Sequence, residues 1–340
     1  MTTEGPGRAP TRVAVIGAGQ WGQQHARVFS NHRDVELCAV VARHKDRAEA
    51  RAAQWGVRAY TSIGEMLASE RPDLVTMSLP NEGHFEATLE VIEAEAPLLV
   101  EKPLVFSLAE ADLLIEAAAR RNLFFAINFN HRYAEPVQRA KAAIDAGELG
   151  EVVFATWRFG GEPGTSSHPH ANLIETQCHG LDMLEYLCGP LRSVMAQMTN
   201  KTQAVYSTLA VALEFASGAV GSLVGSYDSS YAYPFTQLLE VNGTDGRLLV
   251  QDTVKRLEIS RAGDETRQVW EAGYFNDLDR EFHRTFDKYA DALLRALRAG
   301  DEPPVHARAG RRAVELAELV IKSFEGGLRV AVPAPMSSSR

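Results

Sequence analysis

The sequence predicts a doubly wound parallel α/β domain of the Rossmann type, followed by an α+β domain with a large, mostly antiparallel open sheet. Three observations carry this. Up to about residue 127, short aliphatic and β-branched runs alternate with helical stretches of roughly ten to fourteen residues, the pattern of βαβ units. The cluster Gly17-Ala18-Gly19-Gln20-Trp21-Gly22 lies between the first strand and the first helix, where a dinucleotide-binding turn belongs. Beyond it, strand-like runs follow one another with no helix between them, which suits antiparallel pairing.

The elements follow in order. Arg12 to Ile16 is a strand, and the glycine cluster then opens a helix through about Asn31. Val35 to Ala42 is the second strand, and the Ala-rich Lys45 to Trp55 a helix. Leu74 to Leu79 is a strand ending in Pro80-Asn81, and Glu82 to Glu95 is helical. Leu98-Leu99-Val100 is an apolar run that stops at Glu101-Lys102-Pro103, because proline has no N–H for a sheet ladder. A helix over Leu108 to Arg121 and a strand over Phe124 to Phe129 complete the first domain, expected at 10–127.

In the second domain, expected at 128–332, helices at Pro136 to Ala146 and Leu173 to Leu187 frame a strand at Glu151 to Phe159. Six strands then follow at about Val194 to Thr199, Ser207 to Phe215, Ala219 to Tyr227, Thr236 to Asn242, Arg247 to Gln251 and Arg256 to Arg261. Ser217-Gly218 and Asn242-Gly243 are expected turns. The alternation Leu209-Val211-Leu213-Phe215 predicts a sheet with one buried face. Helices at Leu278 to Arg298 and Ala307 to Phe324 close the chain, and residues 1–9 and 333–340 are expected to be flexible.

Composition narrows the function classes. The chain has 340 residues, 45% hydrophobic and 23% charged, with a formal net charge of −9. That balance predicts a globular protein whose partner is a small molecule, not nucleic acid or an anionic membrane. No apolar run is long enough for a membrane span. Met1 to Thr11 lacks a hydrophobic signal core, and three cysteines give no disulfide framework, so a cytoplasmic location is expected.

The chemistry-bearing motifs gather on strand ends. Gly17 permits a tight turn, Gly19 lets the backbone approach a pyrophosphate, and Gly22 lets helix and strand pack closely, with the helix N-terminus facing the phosphates. The second strand ends in Ala42-Arg43-His44-Lys45 without the acid that an NAD-type site places there. An arginine there suits a 2′-phosphate, so NADP(H) is slightly favoured over NAD(H). Lys102 would project from the carboxyl end of a parallel strand, where open α/β sheets bind ligands. A half-buried lysine loses its proton more easily than one in water.

These motifs, with Pro80-Asn81 and His84, Asn130-His131-Arg132, Gly150-Glu151-Val152, His179 with Asp182, and Asn242 to Gly246, have an order and spacing that resemble the Gfo/Idh/MocA oxidoreductase family from about Val13 to Val332. The resemblance implies an NAD(P)-dependent oxidoreductase of sugars or cyclitols, with a catalytic lysine from Glu101-Lys102-Pro103. It implies cofactor contacts at Gly17, Gly19, Gln20, Trp21, Gly22, Ala42 and Arg43. Further contacts are implied at Leu79, Pro80, Asn81, His84, Glu101, Lys102, Asn130 and Arg132. Glu175 and His179 are four apart and share a helical face. On the family pattern His179 joins Lys102 in proton transfer, with Glu175 orienting its ring; the family more often has Asp at that position. On spacing alone, a helix histidine satisfied by Glu175 is the favoured reading of His179, and the family pattern reverses that preference.

The remaining candidates are substrate contacts: Lys102, Arg158, His170, Asn172, Glu175, His179 and Tyr233. His168, His170, Cys178 and His179 lack a recognised ligand spacing, so no metal is expected. The acids Glu162, Glu175, Asp182 and Asp228 suit a cationic amino sugar, including an aminoglycoside intermediate. The alternative to an enzyme is a catalytically silent NAD(P)-binding regulator or scaffold. A free apolar sheet face in the second domain predicts a homodimer or homotetramer.

Overall fold

The computed structural model describes residues 9–80, 83–161, 163 and 166–336. The chain divides into two compact units. One ends at Asn128 and takes in Phe286–Arg308; the other holds Phe129–Thr285 and resumes at Ala309. Among the described residues no helix is long and apolar enough to cross a membrane.

The first unit alternates strands and helices: β1 (Thr11–Ile16), α1 (Gln20–Asn31), β2 (Val35–Val41), α2 (Lys45–Trp55), β3 (Arg58–Tyr60), α3 (Ile63–Glu70), β4 (Leu74–Met77), α4 (His84–Glu93), β5 (Leu98–Val100), α5 (Leu108–Ala119) and β6 (Phe125–Ile127). All its strand pairs are parallel, in the order β3-β2-β1-β4-β5-β6. Strands covered by helices on both faces must be apolar throughout, and β4, β5 and β6 are buried at every residue. The order reverses between β1 and β4, the switch point at which such sheets bind ligands.

Two elements here lie outside the sequence reading, β3 and α3. β3 has three residues, none of them buried, so it carries no hydrophobic pattern to read. α3 carried a readable signal: Ser62 caps it by accepting the Glu65 amide at 3.3 Å, the Ser-x-x-Glu start of a capping box. The return of Phe286–Arg308 to this unit is also long-range. The Ala307 amide donates to the Phe125 carbonyl at 2.9 Å, the Ile127 amide to Val305 at 3.1 Å, and the Tyr289 hydroxyl to Ile127 at 2.7 Å. These bonds cover the edge left open by β6.

The second unit holds α6 (Glu135–Asp145), β7 (Val152–Gly160), a π-helical turn at Asn172–Thr176, α7 (Cys178–Cys188), β8 (Leu191–Thr199), β9 (Thr208–Phe215), β10 (Val220–Ser226), β11 (Gln237–Gly243), β12 (Gly246–Gln251), β13 (Arg256–Arg261) and β14 (Arg267–Glu271). Further along the chain come α8 (Arg284–Ala299), α9 (Arg308–Gly326) and β15 (Val330–Ala331). Its nine-stranded sheet runs β14-β13-β12-β11-β7-β10-β9-β8-β15. β7 and β10 are parallel and the other pairs antiparallel. Leu209, Val211, Leu213 and Phe215 are buried while Ala210 and Ala212 are exposed, the one-sided sheet that alternation predicts.

Four local expectations are corrected. The turn after β11 is Thr244-Asp245; Gly243 is a strand residue, and a Cβ there would sit 2.0 Å from the Leu149 carbonyl oxygen. α8 starts at Arg284, not Leu278. The helix expected over Leu173 to Leu187 opens with the π turn. The tail is tied down as far as Pro333, whose carbonyl accepts from Arg312 at 2.9 Å, while the Val332 amide donates to Arg192.

α7 lies against the sheet where side chains shrink to nothing. A Cβ at Gly180 would meet the Trp157 Nε1 at 2.4 Å, and one at Gly225 would meet the Gln177 side chain at 2.4 Å. Gly180→Ala forces the helix away from the indole, an overpacking that costs about 1–3 kcal/mol. Its urea midpoint, followed by tryptophan fluorescence, is expected to fall accordingly; an unchanged midpoint would mean that the helix is not seated through this contact.

Candidate active site

The carboxyl edge of the first sheet collects the glycine turn, the end of β4 and Lys102. Gly17 has φ +117°, and a Cβ there would lie 2.0 Å from the Ser78 carbonyl oxygen. A Cβ at Gly22 would lie 2.0 Å from the Gly17 carbonyl oxygen. No larger residue fits either position. Gly19 is different: nothing lies within 4 Å of a Cβ built there. It is the N-cap of α1 and gives no side-chain cap, so the first amides of the helix are open to an anion. Gln20 begins the helix, and Trp21 stacks on Phe286 at 5.7 Å. Arg51, which the sequence reading passed over, reaches back from α2 and donates to the Ala18 carbonyl at 3.0 Å.

After β2, Ala42 is buried and its amide donates to the Tyr60 carbonyl at 3.1 Å. Arg43 is exposed, with its Nη2 3.6 Å from the place of a Cβ on Gly83. Leu79 is half-buried and Pro80 exposed; Asn81 and Glu162 lie outside the described residues. His84, only 4% exposed, hydrogen-bonds the Leu79 backbone. Lys102 is half-buried just past β5, and its peptide bond to Pro103 is cis. Glu101 is buried, with its carboxylate hydrogen-bonded by His25 and Asn128.

In the second unit, the π turn is closed by the Gln177 amide, which donates to the Asn172 carbonyl at 3.0 Å. Such insertions concentrate at functional sites. Gln177 is fully enclosed: it accepts from Trp157 Nε1 at 3.2 Å and donates to the Phe159 carbonyl and to Asn172 Oδ1, both at 3.2 Å. Two residues on, His179 is buried. Its ring stacks on His131 with centroids 3.9 Å apart and planes within 13°, and Phe129 meets it edge-on at 5.8 Å. Asp182 takes the Arg132 guanidinium in a bidentate pair at 2.8 and 2.5 Å, and Arg132 lies 4.6 Å over the Tyr186 ring. Glu175 is half-buried, and the Cys178 thiol donates to the Glu175 carbonyl at 3.3 Å.

The other expected contacts differ in what they offer. Asn172 is 0% exposed, and its amide is used internally by the Ser207 carbonyl and Gln177; it holds the π turn and presents nothing to a ligand. His170 is buried and stacked on Tyr206 at 5.0 Å, and burial pushes its imidazole down. The Asn130 amide donates to the Thr285 hydroxyl at 2.7 Å. Arg158 is exposed on β7 and donates to the Phe235 carbonyl, and Tyr233 is 59% exposed. Asp228 accepts from Thr202, Gln203, Ser207 and Thr208; burial works against its charge, but these donors hold its carboxyl below the ordinary range.

The first unit fits a dinucleotide on its own features. The turn at Gly19 is open, and two buried polar atoms, His84 Nε2 and Asn128 Oδ1, have no hydrogen-bond partner among the described residues. A buried polar atom without a partner costs about 1–3 kcal/mol; both of these accept, since the other His84 nitrogen donates to the Leu79 carbonyl, and the NH2 of a carboxamide offers two donors. Asn128 was not among the expected contacts, although an Asn directly after a strand at the ligand edge was a readable signal. Among the described residues no group of three or more His, Cys, Asp or Glu could hold a metal ion.

Comparison with known proteins bears on both units. The family model GFO_IDH_MocA, described as an oxidoreductase family with an NAD-binding Rossmann fold, matches residues 11–129, and the GFO/IDH/MocA C-terminal domain model matches 137–249. The chain is 26% identical to myo-inositol 2-dehydrogenase of Thermotoga maritima over 332 residues, 92% of this chain and 96% of that protein. It is 31% identical to D-glucoside 3-dehydrogenase of Escherichia coli over 206 residues, 57% of this chain and 59% of the other, so that match spans little more than half of either. A structure of levoglucosan dehydrogenase with NADH and L-sorbose superposes with a TM-score of 0.88 at 18% identity, covering 96% of this chain and 100% of that one.

His84 makes the first unit acid-sensitive. Burial pushes its imidazole down to about 4, against the pull of Glu101. Below about pH 6.5 the unfolded chain takes up a proton that the folded chain refuses, so stability present above that pH is lost as pH falls toward 4. The unfolding free energy is expected to drop by on the order of 2 kcal/mol from His84 alone between pH 7.5 and 5. His84→Asn should remove that part of the slope in denaturant titrations at the two pH values; burial pushes His306 down to about 4 as well, so its share remains.

Proposed function

The chain belongs to the GFO/IDH/MocA oxidoreductase family, an NAD(P)-dependent dehydrogenase by that membership, and we propose that it interconverts a secondary alcohol and a ketone on a sugar or cyclitol. One observation carries the reading: Lys102 stands half-buried at the carboxyl edge of the sheet whose glycine turn is open at Gly19. When bound, the dinucleotide supplies the hydride chemistry. The protein's part is the proton. Lys102 and His179 exchange it with the substrate oxygen. His131, stacked on His179, fixes the plane of that imidazole.

Glu175 orients His179 in this reading. The Asp182–Arg132 pair braces the helix that carries it. A neutral polyol is favoured over a cationic amino sugar, aminoglycoside intermediates included, because Asp182 is taken up by Arg132 and Asp228 by four donors. Arg43, exposed after β2 where no acid stands, favours NADP(H) over NAD(H). Arg158 and Tyr233, both exposed, remain as substrate contacts.

Turnover is tested with NAD+ and NADP+ against a panel of cyclitols and pyranosides. Lys102→Met and His179→Asn are each expected to lose about a hundredfold or more in kcat while still binding NADH by fluorescence. Arg43→Ala should weaken NADP+ about tenfold or more and leave NAD+ unchanged. Full turnover in Lys102→Met sinks the assignment. Dinucleotide binding with no turnover on any polyol favours the regulator reading.

The second unit also supports self-association. By register, Met195, Ala212, Ser222, Thr156, Glu240, Leu249, Glu258 and Val269 form one row across the sheet, on the face away from α7, joined by Val220 and Val224. Met195, Val220, Val224 and Val269 are exposed on it, and its charges pair across the strands, Glu240 with Arg247 and Glu258 with Arg256 and Arg267, which suits an interface between copies. Light scattering at micromolar concentration is expected to give two or four times the 37.3 kDa of one chain; a monomer overturns this.

A further inference from the structure

Glu101 is a buried charge tied to three separate elements of the first unit. β5 and β6 run parallel with Val100 opposite Ile127, and the Asn128 amide donates to the Val100 carbonyl at 2.9 Å. Residues 101 and 128 therefore leave the sheet side by side. The Asn128 side-chain amide donates to Glu101 Oε1 at 2.6 Å, and His25 Nε2 donates to the same oxygen at 2.8 Å. The Thr76 hydroxyl lies 3.0 Å from His25 Nδ1. The other carboxylate oxygen, Oε2, accepts the backbone N–H of Lys102 at 3.2 Å.

The network is closed to water: His25, Thr76, Glu101 and Asn128 are all buried. Burial alone would neutralise the acid. His25, Lys102 and Asn128 outweigh it and hold the carboxyl below its ordinary range. Reversing the Asn128 amide would set its oxygen against an anion, so its orientation is fixed by Glu101. His25 comes from α1, the helix that starts at the glycine turn; Thr76 comes from β4 and Asn128 follows β6. One carboxylate thus links the phosphate-binding helix, the switch-point strand and the last strand to the peptide from which Lys102 departs.

We infer that His25 and Asn128 are positioning residues for Lys102, acting through Glu101, which fixes the Lys102 backbone relative to the glycine turn. The inference rests on the assignment of Lys102 to proton transfer. A misplacement of about 1 Å at a reacting group costs on the order of a hundredfold in rate. A network that only added stability would leave kcat intact in a variant that still folds.

The test compares His25→Leu, His25→Gln, Asn128→Ala and Lys102→Met, each checked by circular dichroism and assayed below its own melting transition. Steady-state kinetics gives kcat and KM, and NADH fluorescence gives the dinucleotide Kd. His25→Leu is expected to lose about tenfold to a hundredfold in kcat, with KM and Kd within about threefold. His25→Gln, which keeps a donor to Glu101, should recover most of that loss. If His25→Leu does not fold, Asn128→Ala carries the test, because it removes one donor and leaves the histidine–carboxylate pair; about a fivefold or greater loss in kcat is expected at saturating dinucleotide, beside the rise in Kd that loss of its open Oδ1 brings. The inference is overturned if the folded variants keep wild-type kcat while Lys102→Met has lost it, or if the losses fall on KM or Kd alone. Turnover retained in Lys102→Met instead overturns the assignment of the lysine itself.

Discussion

A parallel sheet ends all its strands on one edge, and the first unit depends on that constraint. The strands all point the same way, so the segments after β1, β4 and β5 collect along a single line. The glycine turn, Pro80 and Lys102 are far apart in sequence and share that edge because each follows a buried strand. The reversal of order between β1 and β4 leaves room there. Gly17 and Gly22 close the turn by contacts that no side chain would allow, while Gly19 stays open.

The second unit uses a different device. A one-sided sheet needs something on its buried face, and α7 comes close enough because Gly180 and Gly225 give way to the Trp157 and Gln177 side chains. The π turn before α7 shifts the register by one residue, and Gln177 locks it with bonds to Trp157, Phe159 and Asn172. His179 inherits a fixed place from this packing. The stacked His131 and the Arg132–Asp182 pair then restrict its ring and the helix that bears it.

The polar side chains divide into those used internally and those left to meet a ligand. Asn172, Asn130, Asp228 and Asp182 have their hydrogen bonds satisfied within the fold. His84 Nε2 and Asn128 Oδ1 are buried and still open to a partner. Residue type did not separate the two groups, because an asparagine reads the same whether it holds a turn or a cofactor. The difference is burial together with what lies within about 3 Å, and that depends on neighbours from other elements.

The sequence by itself determined the parallel α/β unit, the glycine turn, the end of β5 at Lys102 and the alternating strands of the second unit. Hydrophobic period and the special residues Gly and Pro are local properties, so they are legible in a window of a few residues. It also carried a family resemblance that both domain models bear out. Only the tertiary structure decided that Phe286–Arg308 returns to the first unit, that a π turn precedes His179, and that His131 stacks on it. The same holds for the buried Glu101 with His25, Thr76 and Asn128, drawn from three elements. These are contacts between residues tens to hundreds of positions apart, and no local pattern specifies which long-range partner a buried charge will find.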